Sequence, residues 1–389
     1  MDISIHPRPL RGDITIIPSK SLAHRLLICA AFADSPTQLV CPDTNRDIEA
    51  TADCLRSLGA KILKTDSGYI VDPVTSIPEK AELNCCESGS TLRFMLPIVG
   101  ALGIDATFSM EGRLPQRPLS PLWEEMERMG CRLSRPTAQT IRCTGKLKAG
   151  EYVIEGGVSS QYITGLLFAT ALMKEKSSIT ITGKLESKPY IDMTRQALAL
   201  FNAPNFCTPG YIAVEGDWSN GAFFLAANAL GSELTIHGLN RDSLQGDRAV
   251  VKILDQLSSG YPTLSAADIP DLVPILSVVA AANHGAVFTD IRRLRLKESD
   301  RVASVIAMIE NLGGQAAATE NTLTISGTGL QGGTVDAVND HRIAMAAAIA
   351  STVCKENVTI LGARCVEKSY PRFWEEFIRL GGNYELYLR

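Results

Sequence analysis

Residues 18–33, PSKSLAHRLLICAAFA, begin with hydroxyls and a lysine and then turn into a run of Leu, Ile, Ala and Cys broken only by His24 and Arg25. A polar start ahead of an apolar stretch is the signature of a capped helix, and Ser19 is a good N-cap. With almost no polar face to offer water, the helix belongs inside a core. The pattern recurs at residues 87–103 (ESGSTLRFMLPIVGALG), 159–173 (SSQYITGLLFATALM), 217–231 (DWSNGAFFLAANALG), 269–282 (IPDLVPILSVVAAA) and 339–352 (NDHRIAMAAAIAST). The six starts, near residues 19, 87, 159, 217, 269 and 339, are 52 to 72 residues apart. That period is too long for a helical solenoid and fits a repeated strand–helix subdomain. β-branched runs such as SSITITG, SELTIHG and NTLTISG supply the strands.

The expected fold is therefore α/β, built of six like parts around buried helices. A chain of 389 residues exceeds one ordinary core, so the six parts divide into two domains of three. The polar break EGDWSN at residues 215–220 separates the third part from the fourth, and the first strand, ISIHP, completes the C-terminal half. This gives an N-terminal lobe of residues 18–216 and a C-terminal lobe of residues 1–17 with 217–389.

Hydrophobic residues make up 45% of the chain and charged residues 21%, ample for a packed interior. A net charge of −4 argues against nucleic acid or an anionic membrane as partner, since either needs a basic surface. The start MDISIHPRPL has no basic segment followed by an apolar run, and no apolar run approaches the roughly 18 to 20 residues of a membrane span, so a cytoplasmic location is expected. The ten cysteines include no C-x-x-C and the five histidines no H-x-x-x-H, so neither metal nor redox motif is supported, and most cysteines are expected as small buried hydrophobes. GTGLQG at residues 327–332 has glycine-loop spacing but runs on into GTVDAVND, not into a helix, and is a turn.

All six polar clusters sit at helix N-termini, where free amides and the positive dipole end favour anions. Capping alone accounts for the serines. It does not account for Lys20, Arg25, Arg93, Arg301 and Arg342, cations in or near first turns, where the dipole opposes them. Together they suggest convergent binding of phosphate or carboxylate. Asp271 and Glu298 lie among these cations. A pure anion-binding module would avoid such carboxylates, which suits a proton carrier; Glu298 fits equally a surface ion pair with Lys297 or Arg301.

The ordered motifs PSKSLAHR, SGSTLRF, LPQRPLSPL, SSQYITGLL, SKPYIDMT, EGDWSNGAFFLAA, IPDLVP, LKESDR, NDHRIAMA and EKSYPRF resemble, over essentially the whole chain, the 5-enolpyruvylshikimate-3-phosphate synthases (3-phosphoshikimate 1-carboxyvinyltransferases) among the enolpyruvyl transferases. The resemblance implies two domains of three βαβαββ-type units with the active site in the cleft between them, and no metal or organic cofactor; no exposed apolar stripe stands out in the sequence, so a monomer is expected. It implies transfer of the enolpyruvyl group of phosphoenolpyruvate to the 5-hydroxyl of shikimate 3-phosphate, with release of phosphate. It assigns Lys20, Ser21, Arg25, Ser159, Ser160, Gln161, Ser187, Tyr190, Asp271 and Lys297 to shikimate 3-phosphate, and Lys20, Gly89, Arg117, Gln161, Arg301, His341, Arg342 and Lys368 to phosphoenolpyruvate. Asp271, Glu298 and Lys20 are then the catalytic residues: Asp271 accepting the hydroxyl proton, Glu298 exchanging the proton at the methyl carbon, Lys20 assisting phosphate departure. Glyphosate is expected to compete with phosphoenolpyruvate. Two departures stand out, Glu87 in ESGSTLR, where many relatives carry Asn, and Arg293, where some relatives carry a neutral residue. The UDP-N-acetylglucosamine enolpyruvyl transferases share the chemistry but carry a Cys in the loop matching FSMEGRLPQRPLSPL, which here has none. The RNA 3′-phosphate cyclases, related by fold, would need a basic face, and a non-catalytic anion-binding scaffold would have no use for Asp271 and Glu298.

Overall fold

The computed structural model describes residues 1–173 and 175–387. In chain order its described residues form the helices α1 Lys20–Ala31, α2 Arg46–Ser57, α3 Gly89–Leu102, α4 Leu122–Arg128, α5 Ser160–Leu172, α6 Lys188–Leu200, α7 Trp218–Ala229, α8 Val250–Ser259, α9 Val273–Ala282, α10 Arg301–Asn311, α11 His341–Ala350 and α12 Phe373–Arg379. The odd-numbered helices α1, α3, α5, α7, α9 and α11 are the six apolar segments, each starting just after its polar cluster. Five carry a side-chain cap: Ser19, Ser88, Ser159, Asp217 and Asp340 each accept a hydrogen bond from an amide of the first turn. The sixth, α9, follows Leu272, which offers no side-chain cap, and has Pro274 in its first turn, where a missing N–H costs nothing.

The chain divides into two compact units, Pro18–Glu215 and Met1–Ile17 with Gly216–Arg389, called here the N-terminal and C-terminal units. Gly216, expected at the end of the N-terminal lobe, instead donates its amide to Gly238 O at 3.1 Å within the C-terminal unit. Each unit has its own hydrophobic core.

Among the described residues, four of six sheets share one plan, a parallel edge pair continued by two antiparallel strands. Tyr211–Ala213 runs parallel to Thr37–Val40, followed by Gly68–Asp72 and Lys61–Thr65. The same order returns in Lys80–Asn84, Asp105–Ser109, Thr140–Gly145 and Cys131–Ser134. It returns again in Thr263–Ser265, Gly285–Thr289, Thr322–Ser326 and Gln315–Ala318. In the fourth, Gly333–Asp336, Val358–Leu361, Ile3–His6 and Asn383–Leu386, the first strand of the chain fills the third place. The other two sheets keep only a parallel pair, Glu151–Glu155 with Ser178–Thr182 and Arg11–Thr15 with Glu233–His237. Repetition therefore extends from the helices to strand order. Residues 327–332 link two strands as a loop, and the ten cysteines are unpaired, all but Cys86 and Cys207 buried.

The repeat holds a second helix that the apolar segments do not announce. These even-numbered helices are amphipathic: α8 buries Val250, Ile253, Leu254 and Leu257, and α10 buries Val302, Val305, Met308 and Ile309, each one stripe of a helix. Close approach of the apolar helices relies on small residues. Pro97 has no N–H to give Arg93 O one turn back in α3, and Gly165 of α5 passes over that carbonyl, where a Cβ would lie 2.2 Å from Arg93 O and 2.9 Å from Pro97 Cγ. No helix among the described residues is long and apolar enough to cross a membrane.

Candidate active site

In the N-terminal unit the polar ends of α1, α3 and α5 gather cations that face neither water nor bare helix dipoles. Lys20 Nζ pairs with Asp47 Oδ2 of α2 at 2.9 Å. Arg25, one turn on and almost fully buried, donates to Thr194 Oγ1 (2.9 Å), Ser21 O (2.6 Å), Tyr190 O (2.9 Å) and Thr164 Oγ1 (3.4 Å). Its guanidinium also lies 5.2 Å from the centre of the Phe94 ring, so it ties α1 to α3, α5 and α6.

A second knot forms around Gly89, the first residue of α3. Arg93 Nη1 donates to Gln161 Oε1 at 2.7 Å, and Gln161 Nε2 donates to Ser90 Oγ at 2.8 Å. A Cβ at Gly89 would lie 2.7 Å from Arg117 Nη1 and 2.8 Å from Arg93 Nη1. Two guanidiniums thus crowd a helix N-terminus at a residue without a side chain, a place where an oxyanion can reach amides and cations at once. Glu87 turns toward Gly112, whose Cβ would come 2.5 Å from Glu87 Oε2.

The C-terminal unit has a balanced cluster of charges. Arg301, with 1% of its side chain exposed, is held by three carboxylates: Asp271 Oδ1 at 2.7 Å, Glu298 Oε2 at 2.6 Å and Asp340 Oδ2 at 3.1 Å. Asp340 caps α11 through the amide of Arg342 (3.0 Å) and accepts from Ser299 Oγ (2.9 Å). Arg342 reaches Asp271 Oδ2 at 3.2 Å, leaving its Nε and Nη1 buried with no hydrogen-bond partner, and Lys297 Nζ stands 3.9 Å from Asp271 Oδ1. Partial burial would raise the Asp271 pKa, but Arg342, Lys297 and Arg301 outweigh it and hold the carboxyl well below the usual range. Burial lowers Lys297 to about 8 against the pull of Asp271.

Behind them Asp247 is buried in the short helical turn Gly246–Ala249, one oxygen accepting from Ser219 Oγ and the other without a partner. Burial and then the negative charge of Asp271 raise it from 3.8 to about 7, with Arg342 opposing. A carboxyl whose pKa is raised on folding stabilises the fold at pH below its unfolded value and loses that contribution as pH climbs through its folded value. Asp247→Asn is therefore expected to flatten the decline in melting temperature of the parent between about pH 4 and pH 7. A variant curve parallel to the parent's would assign the proton elsewhere.

The family model described as EPSP synthase (3-phosphoshikimate 1-carboxyvinyltransferase) matches residues 5–263 and 262–377. The chain belongs to the EPSP synthase family. Among curated EPSP synthase relatives, the 3-phosphoshikimate 1-carboxyvinyltransferases of Clostridium kluyveri and Clostridium beijerinckii are each 38% identical, the first over 98% of this chain and 97% of its own, the second over 99% and 98%. The EPSP synthase from Acinetobacter baumannii shares the fold at a TM-score of 0.79 and 22% identity, covering 99% of this chain and all of its own.

Set against this EPSP synthase fold, the residues named from sequence fall into two groups. Lys20, Ser21, Arg25, Gly89, Arg117, Ser159, Ser160, Gln161, Ser187 and Tyr190 lie in the N-terminal unit; Asp271, Lys297, Glu298, Arg301, His341, Arg342 and Lys368 lie in the C-terminal unit. Ser159 caps α5, Ser160 is its buried first residue, and Ser187 precedes α6 with φ +56°, a left-handed conformation uncommon for serine. His341 is the buried first residue of α11, and Lys368 Nζ donates to Asn339 O just ahead of it at 3.0 Å. Glu298 is the ion pair with Arg301 that the sequence left open, inside the cluster. Sequence reasoning passed over Asp47, Asp247 and Asp340. Of these, Asp340 alone had a local signal, an N-cap position in NDHR; the others need the tertiary structure to meet their cations.

Proposed function

We propose that this chain is a 3-phosphoshikimate 1-carboxyvinyltransferase, joining the enolpyruvyl group of phosphoenolpyruvate to the 5-hydroxyl of shikimate 3-phosphate with release of phosphate. The single observation that carries the reading is family membership over the full chain at 38% identity to curated enzymes of that name. The charge arrangement supports it. Both substrates are polyanions, and each unit gathers cations beside its own helix N-termini, Lys20, Arg25 and Arg117 in the N-terminal unit and Lys297, Arg301, Arg342 and Lys368 in the C-terminal unit. We assign Ser21, Arg25, Ser159, Ser160, Gln161, Ser187, Tyr190, Asp271 and Lys297 to shikimate 3-phosphate, and Gly89, Arg117, Gln161, Arg301, His341, Arg342 and Lys368 to phosphoenolpyruvate, with Lys20 serving both. On this assignment residues of both units act on one pair of substrates.

The addition–elimination needs a proton on the methylene carbon of phosphoenolpyruvate, loss of the hydroxyl proton as oxygen attacks C2, and departure of phosphate from the tetrahedral intermediate with loss of a methyl proton. Asp271 is a weak base while three cations bear on it. An incoming carboxylate or phosphate that engages Arg342 and Arg301 shares their field, raises the Asp271 pKa and fits it to take the hydroxyl proton. Binding thereby switches on the base. Glu298, released from Arg301 by the same exchange, is placed to carry the proton at the methyl carbon, and Lys20, paired with Asp47 until then, offsets charge on the leaving phosphate.

Phosphate release from phosphoenolpyruvate tests the assignment. It is expected with shikimate 3-phosphate as acceptor and not with UDP-N-acetylglucosamine. The reverse pattern would assign the chain to the other enolpyruvyl transferases, and release with neither would favour a binding scaffold.

A further inference from the structure

Four buried side chains form an unbroken hydrogen-bonded line through the N-terminal unit. His24 Nδ1 lies 2.7 Å from Thr51 Oγ1, Thr51 Oγ1 lies 2.7 Å from Thr91 Oγ1, and Thr91 Oγ1 donates to Ser88 Oγ at 2.7 Å. None of the four is more than 1% exposed. The line starts on α1, one turn after Lys20, crosses α2 at Thr51 and ends on the cap of α3, whose first residue is Gly89. Helix α2 grips both neighbours a second time: Asp47, one turn before Thr51, takes Lys20 at 2.9 Å with its carboxylate and Thr91 Oγ1 at 3.4 Å with its carbonyl.

The arrangement is more specific than a filled core requires. Val would replace Thr51 without changing its shape, and the apolar stretches of α1 and α3 already hold the helices together. What the hydroxyls add is register: each donor–acceptor distance fixes one helix end against the next to a few tenths of an ångström. The ring of His24 is neutral, because burial and the nearby Lys20 and Arg25 push its pKa well down, and its Nε2 has no partner, so Thr51 is its one polar anchor.

We propose that Thr51 is a positioning residue of the reaction, the joint through which α2 sets Lys20 of α1 against the amide end of α3 at Gly89. The inference rests on the assignment of Lys20, Gly89 and Arg117 to phosphoenolpyruvate. A helix end displaced by less than an ångström loses much of its hold on a bound oxyanion, and the loss falls on binding before chemistry.

Cutting the line on either side gives the test. In the full-length enzyme, Thr51→Val and Thr91→Val are each expected to raise the KM for phosphoenolpyruvate roughly tenfold, with kcat changed less than about threefold. Thr51→Ser, which keeps the hydroxyl, is expected to return KM to within about twofold of the parent. Thermal melting followed by circular dichroism reports whether each variant is folded; should one valine variant fail to fold, the other and Thr51→Ser still decide. Gly89→Ala serves as the control for the site itself, since its Cβ would strike Arg117 and Arg93. If Gly89→Ala raises KM while both folded valine variants leave it at the parent value, the line is only structural and the proposal fails. If Gly89→Ala also leaves KM unchanged, the assignment of Gly89 to phosphoenolpyruvate fails, and the positioning role fails with it.

Discussion

Exchanging Arg301 for Met is expected to destabilise the C-terminal unit by about 3–5 kcal/mol, the cost of removing one partner from a buried ion pair. The methionine occupies the volume of the stem but leaves three carboxylates facing one another. Asp340 is fully buried, and once Arg301 Nε is gone it keeps only Ser299 Oγ and the cap amide of Arg342. Asp271 and Glu298 retain some exposure and suffer less. For a unit of this size the loss corresponds to a fall in melting temperature on the order of 10 °C.

The decisive measurement is the double replacement. Asp340→Asn alone breaks the pair from the other side and should also destabilise, although Asn still caps α11. Combined with Arg301→Met, it removes the stranded charge, so the double variant is expected to be more stable than Arg301→Met alone, with a coupling of about 1–3 kcal/mol by the double-mutant cycle. Additive losses would mean that Arg301 and Asp340 are not energetically paired. Activity should be lost in every variant lacking Arg301, because the fork assigned above to an anionic substrate is absent whether or not the fold recovers.

The sequence made the inner half of this fold legible and hid the outer half for a physical reason. Helices α1, α3, α5, α7, α9 and α11 are apolar on all sides, so their composition alone marks them, and a Ser or Asp cap fixes five of the starts. Their partners are amphipathic. In α10 the buried Val302, Val305, Met308 and Ile309 are spaced among polar residues, and the pattern emerges only when positions are counted at helical spacing. Strand order is still less accessible. Nothing local in ISIHP specifies that it should lie between Val358–Leu361 and Asn383–Leu386.

The same division runs through the site. Cations beside helix starts were conspicuous because they defy the dipole. Their carboxylate counterparts were not: Asp47 sits inside an ordinary first turn of α2, and Asp247 inside a short helical turn preceded by polar residues. The sequence marks Arg25 as a ligand for an incoming anion, and in the structure the same guanidinium makes four hydrogen bonds to protein. A cation in a motif can serve substrate and scaffold together, and spacing alone does not divide the two roles.

Replacing Asp271 by Asn is expected to lower kcat by a factor of about 10² to 10⁴, the usual contribution of a positioned general base. Its effect on binding should run the other way, and that contrast is the sharper test. Asp271 now neutralises part of the charge of Arg301, Arg342 and Lys297. The amide cannot, so the cations are freer to take an anionic substrate, and KM for phosphoenolpyruvate should stay level or fall while turnover collapses. Because those cations hold Asp271 well below the ordinary carboxylate range in the free enzyme, kcat/KM of the parent should show no acidic limb from this residue above about pH 4. In the complex, with the arginines shared by substrate, the limb in kcat should move to higher pH and should vanish in the Asn variant. Glu298→Gln, which leaves Asp271 in place, is expected to keep that limb and lose turnover by a similar factor. A rise in KM with kcat preserved in Asp271→Asn would make Asp271 a binding residue and remove it from proton transfer.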